Sequence, residues 1–130
     1  MLKNTRNNKP YSDLEVWKVA INICDIVYFF TKDFPKNELF GLVSQIRRSA
    51  ISIASNISEG CGRNSSKDVL QFLFIARGSI YELETQIVIA NNQKYLSNKL
   101  KIEIFSEINK CKYLLNGLIK YYQKPKLLST

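Results

Sequence analysis

The sequence contains no histidine, and its 130 residues include only three cysteines, three prolines and five glycines. The absence of histidine excludes Ser-His-Asp chemistry, histidine-ligated zinc and imidazole proton transfer. So few glycines and prolines do not supply a turn at every hairpin of an all-β fold. Cys24, Cys61 and Cys111 are odd in number and lack C-x-x-C spacing, which predicts buried free thiols rather than a disulfide framework or a zinc site.

Long apolar runs are also missing. The first ten residues are polar and basic, unlike a signal peptide. The strongest apolar cluster, residues 26–30, is far shorter than the roughly 20 residues of a membrane-spanning helix. Together with the unpaired cysteines, these features predict a cytoplasmic protein that makes no contact with a membrane.

Apolar residues recur at helical spacing in four segments of the chain. Ser12 and Glu15 form a capping box that predicts the start of the first helix, which ends near Asp33 because Pro35 follows. The second helix is predicted from about Gly41 to Glu59, and glycines close it. Ser65 or Ser66 caps a third helix that ends at residues 91–92, and Ser97 starts a fourth.

The helical stripes predict which faces are buried. In helix 1 the main stripe is Leu14, Trp17, Ile21, Cys24 and Tyr28; in helix 4 it is Ile104, Ile108, Cys111, Leu115, Leu118 and Tyr122. Four helices with short connections predict an all-α fold, an antiparallel up-and-down four-helix bundle over residues 12–123. A flexible basic arm at residues 1–11 precedes the predicted bundle, and a basic tail at 124–130 follows it.

Helices 1 and 3 carry more apolar residues than one buried stripe requires. Val16, Val19 and Phe29 in helix 1, and Phe74 and Tyr81 in helix 3, lie beside the main stripes. Exposed apolar patches usually mark interfaces, so this surplus favours self-association. A broad core within one chain is the alternative.

Positive charge is concentrated at the two ends of the chain. The 19 lysines and arginines exceed the 11 acidic residues by eight, and the arm, the fourth helix and the tail hold most of that surplus. A polyanion is therefore the first partner to consider, either RNA or DNA. The candidate nucleic-acid-binding residues are Arg47, Arg48, Arg63, Lys99, Lys101, Lys110, Lys112, Lys120, Lys124 and Lys126. The alternatives are an ordinary solvated face on helix 4 and, for Arg47 or Arg48, a salt bridge to an acid such as Glu59 or Glu82.

Polar residues also repeat at helical spacing on helices 2 and 3. We interpret them as a structural hydrogen-bond network made by Gln45, Ser49, Asn56, Glu59, Ser79 and Glu82. Gly78 predicts a close approach of two helices at that point. The alternative gives Glu82 an acid–base role and Cys61 a reactive thiol. A glutamate without a nucleophile, a histidine or a second carboxylate makes a poor active site, so no catalytic residue, metal site or cofactor is predicted.

Three sequence blocks carry a family resemblance: 45–48 (Gln-Ile-Arg-Arg), 56–60 (Asn-Ile-Ser-Glu-Gly) and 78–83 (Gly-Ser-Ile-Tyr-Glu-Leu). With 13–17 they resemble the bacterial four-helix-bundle family also called the 23S ribosomal RNA intervening-sequence protein family, over about residues 12–122. The resemblance implies an up-and-down bundle that assembles as a homopentameric ring. A relative in fold is the accessory protein of diversity-generating retroelements, a basic pentamer that binds nucleic acid and a reverse transcriptase. The resemblance assigns no catalytic residue.

Two functional hypotheses follow. The first is a non-catalytic oligomeric protein that binds nucleic acid through phosphate contacts. The second is an interaction scaffold for a partner enzyme such as a reverse transcriptase, without direct binding to nucleic acid. A steep fall of binding with salt is expected only from the first.

Overall fold

The computed structural model describes residues 10–125, and within that range four long helices form the fold. They are α1 (Glu15–Thr31), α2 (Ser44–Cys61), α3 (Ser66–Asn92) and α4 (Asn98–Gln123), and the connections contain only short 3-10 and π turns. The predicted all-α fold is therefore confirmed. Residues 1–9 of the predicted arm, and residues 126–130 of the predicted tail with Lys126, lie outside the described residues.

Each helix packs against the helix before it and the helix after it, and α1 also packs against α4. The four helices therefore occupy the corners of a square, with α1 and α3 on one diagonal. This arrangement is the up-and-down bundle predicted from the short connections. It leaves every helix with one outward face.

The core is an uninterrupted stack of aliphatic side chains contributed by all four helices. Its largest fully buried members include Ile23, Val27, Ile46, Ile53, Ile57, Leu73, Ile80, Leu83, Ile87, Ile104, Ile108 and Leu115. The predicted stripe of α4 is confirmed for Ile104, Ile108, Cys111 and Leu115, whereas Leu118 and Tyr122 are partly buried at its edge.

The buried face of α1 differs from the predicted one. Val16, Val19, Ile23, Val27 and Phe30 are buried, whereas Leu14, Trp17, Ile21 and Cys24 are half-buried and Tyr28 is exposed. Both stripes are apolar, and packing against α2 and α4 rotates the helix towards the valine and isoleucine side. Much of the apolar surplus of α1 therefore lies in the core of a single chain.

The start of α1 also corrects the sequence prediction. Residues Tyr11–Asp13 form a 3-10 turn, which the Leu14 amide closes by donating to the Tyr11 carbonyl at 3.0 Å. Leu14 is then extended and becomes the N-cap, so α1 begins at Glu15 without a side-chain cap. Ser12 lies inside the short turn, and the predicted capping box is wrong.

The starts of α3 and α4 follow the sequence prediction. The Ser65 hydroxyl accepts a hydrogen bond from the Asp68 amide at 3.1 Å, and that of Ser97 accepts from the Leu100 amide at 3.2 Å. Both contacts satisfy amides that have no partner within the helix. Helix α2 begins at Ser44, later than predicted, because the backbone of Gly41 is non-helical.

Close helix approach occurs at Gly60 and not at Gly78. A Cβ atom on Gly60 would lie 3.0 Å from the Phe72 Cβ and 3.3 Å from the Val69 carbonyl oxygen, so glycine lets α2 and α3 meet tightly there. A Cβ on Gly78 would meet nothing within 4 Å, because this residue points outwards. The close approach predicted at Gly78 within the bundle is wrong.

Candidate nucleic-acid interface

The outward face of α4 carries a row of lysines that runs the length of the helix. Lys99, Lys110, Lys120 and Lys124 are all exposed, and we call them the α4 basic face. At 3.6 residues per turn these four positions fall within a sector of about 80°, and Lys99 and Lys120 are separated by about 32 Å along the helix. One side of one rigid helix therefore presents four ammonium groups to solvent.

Most of these lysines form no ion pair, although Glu103 lies one helical turn from Lys99. Among residues 10–125, Lys99, Lys120 and Lys124 form no ion pair, and Lys110 lies 3.8 Å from Glu107 across one helical turn. Such an exposed, long contact adds little stability, so Lys110 remains available to another anion. The α4 basic face is therefore electrostatically unsatisfied within the described chain.

The other two candidate lysines of α4 lie nearer the body of the bundle. Lys112 forms a 2.6 Å ion pair with Glu84 of α3 and lies 5.3 Å from the ring centroid of Tyr81. Lys101 is half-buried. Lys112 therefore joins α3 to α4, and we place it outside the α4 basic face.

Aromatic and apolar side chains stand between the lysines of α4. Tyr113 is 79% exposed and Ile102 is 70% exposed. Tyr113 lies between Lys110 and Lys120 on the same outward sector. An exposed ring among cations is a surface on which nucleic-acid bases can stack.

Arg47 and Arg48 lie at the start of α2 and point in different directions. The Arg47 Nε donates to the Thr31 hydroxyl at 2.9 Å, and its guanidinium lies 4.5 Å from the ring centroid of Tyr28. The Arg48 Nη2 donates to the Gln45 side-chain oxygen at 2.9 Å. Neither arginine forms a salt bridge with an acid in the described chain. The predicted alternative, a salt bridge to Glu59 or Glu82 within the chain, is therefore wrong.

Arg63 sits at the far end of α2 and is already engaged. It lies 3.4 Å from the Glu59 carboxylate and stacks 4.6 Å from the ring centroid of Phe72. These contacts hold the turn between α2 and α3. They leave Arg63 engaged within the α2–α3 connection.

The predicted polar network is present in a smaller form. The hydroxyls of Ser52 and Ser79 are 2.8 Å apart, and the Asn56 amide donates to the Ser52 carbonyl at 2.9 Å and to its hydroxyl at 3.1 Å. We call these three residues the α2–α3 seam. Ser49 is buried nearby, and its hydroxyl has no partner in the described chain; the same holds for the side-chain oxygen of Gln86.

Four residues predicted for that network lie outside it: Ser49, which has no hydrogen-bond partner in the described chain, and Gln45, Glu59 and Glu82. Gln45 contacts Arg48, and Glu59 contacts Arg63. Glu82 is exposed on the outward face of α3 and accepts no hydrogen bond from the residues the structure describes. Sequence reasoning missed the engagement of Gln45 with Arg48 on the same helix and of Glu59 with Arg63 just after it, although the spacings of three and four residues were a usable signal.

The cysteines do not provide an activated nucleophile. Burial raises the pKa of the Cys61 thiol, and burial together with Asp25 raises the pKa of Cys24 to about 11. The pKa of Cys111 is raised to about 12, chiefly by burial. Because the thiolate is the reactive species, these shifts disfavour the alternative in which Cys61 reacts.

None of the helices in residues 10–125 combines the length and the apolar character needed to cross a membrane.

Fold and surface together define a class: an up-and-down four-helix bundle with one strongly basic outward helix face. The model of the 23S rRNA-intervening sequence protein family matches residues 12–117. The chain therefore belongs to this family, as the sequence blocks suggested. The comparison with curated proteins finds no match.

A solved structure shares the fold. It is the crystal structure of a protein of unknown function from the S23 ribosomal protein family of Bacteroides thetaiotaomicron, with a TM-score of 0.73 and 24% sequence identity. The similarity covers 81% of this chain and 98% of that one. At this identity the likeness establishes the bundle architecture.

Proposed function

We propose that this protein is a non-catalytic, oligomeric nucleic-acid-binding protein whose α4 basic face contacts phosphates. The observation that carries the proposal is the row of exposed lysines on α4, three of which have no ion-pair partner among residues 10–125. A polyanion supplies the missing negative charge along the whole row.

Phosphate contacts of this kind position a nucleic acid without reading its sequence. Lysine offers a point charge on a flexible stem, which tolerates many phosphate geometries. Tyr113, exposed between Lys110 and Lys120, adds a stacking surface that every base can use. We therefore expect binding with little sequence preference and a strong dependence on salt.

Self-association is the second part of the proposal. The outward face of α3 leaves Phe74, Ile75, Tyr81, Val88 and Ile89 exposed, which is typical of an interface. The family resemblance implies a ring of five copies. Each added copy repeats the α4 basic face, and the combined field attracts a polyanion more strongly than one face does.

The test is a salt titration of binding to duplex DNA and to structured RNA. In the variant Lys99→Gln, Lys110→Gln, Lys120→Gln, Lys124→Gln, the slope of log K against log salt should fall by about 0.9 for each duplex phosphate that the protein no longer neutralises, so by about 2 to 4 per protomer. The matched control changes Lys18, Lys32, Lys36 and Lys67 to Gln, because all four are exposed and lie off the α4 basic face.

The control keeps the same net charge as the test variant. If both quadruple variants lower the slope equally, the α4 basic face is not the binding site. If the unaltered protein binds neither nucleic acid at low salt, the proposed function is wrong.

A further inference from the structure

The connection between α1 and α2 holds one phenylalanine almost completely in solvent. Phe40 is 93% exposed, the largest exposure among the large hydrophobic residues of the described chain. It lies in a five-residue π turn, Leu39–Val43, where Gly41 has φ −113° and ψ −107°.

The turn is fixed from both sides by one carboxylate. The Leu42 amide donates to Glu38 Oε1 at 3.1 Å, and the Tyr95 hydroxyl donates to Glu38 Oε2 at 3.1 Å. A Cβ on Gly41 would lie 2.9 Å from Glu38 Oε1, so glycine lets the turn close over this carboxylate. The exposure of Phe40 is therefore a property of a braced turn.

A shallow groove of about 420 Å³ lies beside Phe40, between α1, the turn and α2. We call it the Phe40 groove; its lining includes Tyr28, Phe40, Val43, Arg47, Arg48 and Ile51. Neither arginine has a salt-bridge partner in the described chain. The groove therefore combines apolar contact area with an unsatisfied positive charge.

The outward face of α3 has the complementary features. Its exposed apolar residues, Phe74, Ile75, Tyr81, Val88 and Ile89, are between 37% and 50% exposed, and we call them the α3 apolar face. Gly78 lies in the middle of this face, and a Cβ there would meet nothing within 4 Å. Positions three and four residues away on a helix are neighbours, so Gly78 is the floor of a hole rimmed by Phe74, Ile75, Tyr81 and Glu82.

One acid on the rim of this hole is unpaired, although Arg77 lies 5.2 Å from the ring centroid of Phe74 and Lys112 lies 5.3 Å from that of Tyr81. Glu82 on the rim has no ion-pair partner among residues 10–125. The other groups nearby are engaged: Arg77 donates to Asn116 of α4 at 2.9 Å, and Glu84 pairs with Lys112. Glu82 is thus the free charge beside the hole, opposite in sign to Arg48 beside Phe40.

We infer that the Phe40 groove of one copy binds the α3 apolar face of a second copy, with Phe40 inserted over Gly78 and Arg48 paired with Glu82. This inference deepens the proposed function, since it rests on the self-association proposed there. A side chain that enters a hole between four helix residues is the packing unit of helical interfaces. The two surfaces are different, so the contact is heterologous and generates rings or filaments.

The positive charge of Arg47 and Arg48 favours the outward face of α3 over that of α4 as the surface that binds in the groove. The outward face of α4 also exposes apolar residues, Ile102 and Tyr113. The lysines of the α4 basic face would meet Arg47 and Arg48 there, and juxtaposed like charges are unfavourable. Self-association through the α3 apolar face leaves the α4 basic face free for a polyanion.

The first experiment measures the mass of nuclease-treated protein by light scattering over a range of concentrations. Phe40→Ala should raise the concentration at which half the chains are assembled by about 30-fold, the effect expected for removing one anchoring side chain. Gly78→Leu fills the hole and should have a similar effect. Gly117→Leu on α4 is the matched control, because a Cβ there also meets nothing within 4 Å.

Gly78→Leu improves the helix propensity of α3, and unchanged helical circular dichroism of the variant would show that its dissociation is not unfolding. If Gly78→Leu and Phe40→Ala assemble like the unaltered protein, or if Gly117→Leu dissociates equally, the assigned contact is wrong. A protein that is monomeric at every concentration also overturns the inference.

A charge exchange tests the orientation of the two copies. Arg48→Glu and Glu82→Arg should each weaken assembly, and the double variant should restore it because the pair is re-formed with reversed signs. Failure of the double variant to recover overturns the Arg48–Glu82 pairing. The salt titration of the α4 lysine variants reports separately on nucleic-acid binding, so failure of the assigned contact is distinguishable from failure of nucleic-acid binding.

Discussion

Helices α3 and α4 are antiparallel neighbours of 27 and 26 residues, and they differ almost entirely in what they show to solvent. Both bury a continuous stripe of isoleucine and leucine in the same core. Outside, α3 carries the α3 apolar face with Glu82, whereas α4 carries the α4 basic face with Ile102 and Tyr113. The two helices share one structural role and expose two different surfaces.

This difference shows that the surplus of positive charge is not required by the bundle. The inner stripes account for the packing, and the outward residues are left free to set association. An apolar face with one acid suits a dehydrated contact with a protein surface, whereas lysines spaced along a helix suit a hydrated polyanion. Separate faces permit both contacts at once.

The largest expected effect concerns the buried faces of α3 and α4, which we expect to contribute equally to stability although the outward faces differ. Ile80 of α3 and Ile108 of α4 are both fully buried. We expect Ile80→Ala and Ile108→Ala each to lower the free energy of unfolding by about 2 to 5 kcal/mol, because each leaves a cavity. Chemical denaturation at one fixed protein concentration measures both values.

Gln71→Ala on α3 and Ser106→Ala on α4 are surface controls and should change the free energy of unfolding by less than about 0.5 kcal/mol. A difference of more than about 2 kcal/mol between the two isoleucine variants would show that the inner faces are not equivalent.

A smaller effect concerns the α2–α3 seam. Helix α3 contacts α2 through this seam on one side and contacts α4 on its other side. Ser79→Ala removes a 2.8 Å contact with the Ser52 hydroxyl in a part-buried site. We expect it to lower the free energy of unfolding by about 1 kcal/mol. In a double-mutant cycle, Ser52→Ala with Ser79→Ala should cost less than the sum of the single changes. Strict additivity would mean that the two hydroxyls do not interact; exposed Ser55→Ala is the control.

The smallest expected effect concerns the other flank, where Lys112 pairs with Glu84. Their side chains are 28% and 19% exposed, so solvent and salt screen the contact. A double-mutant cycle with Lys112→Met and Glu84→Gln should give a coupling of about 0.5 kcal/mol that shrinks as salt is added. A coupling that is larger than about 2 kcal/mol, or independent of salt, would contradict this description.

Local signals in the sequence predicted a large part of the fold. Ser65 and Ser97 were identified as helix starts because an N-cap depends on a hydroxyl and an amide only a few residues apart. The stripe of α4 was identified because its opposite face is polar, which leaves one orientation. The bundle itself followed from four periodic segments joined by short connections.

The misplaced features depend on contacts that periodicity does not contain. Helix α1 is apolar on more than one side, so its spacing could not show that Val19 and Ile23 enter the core while Tyr28 remains outside. The 3-10 turn at Tyr11–Asp13 displaced the helix start that Ser12 had indicated. Gly60 and Gly78 are both helical glycines, and only the neighbouring helix distinguishes a close approach from an open surface.

For the candidate site, the sequence showed which segments are basic, and the structure showed which basic side chains are paired. Ten basic residues were candidates, and helical spacing did not show which of them pair within the bundle. The structure shows that Arg63 and Lys112 are committed to contacts within the bundle, whereas Lys99, Lys120 and Lys124 have no such partner in the described chain. Pairing between helices depends on which residues face each other, and helical spacing alone does not fix that.

The order of the helices around the square also has a kinetic consequence. Helices α2, α3 and α4 each pack on the helix that precedes them in the chain, so these contacts form by closing short connections. The contact between α1 and α4 is different, since it joins the two ends of the bundle. The entropy of closing a long loop is therefore concentrated in that one contact, and the meeting of α1 with α4 is the longest-range search in folding.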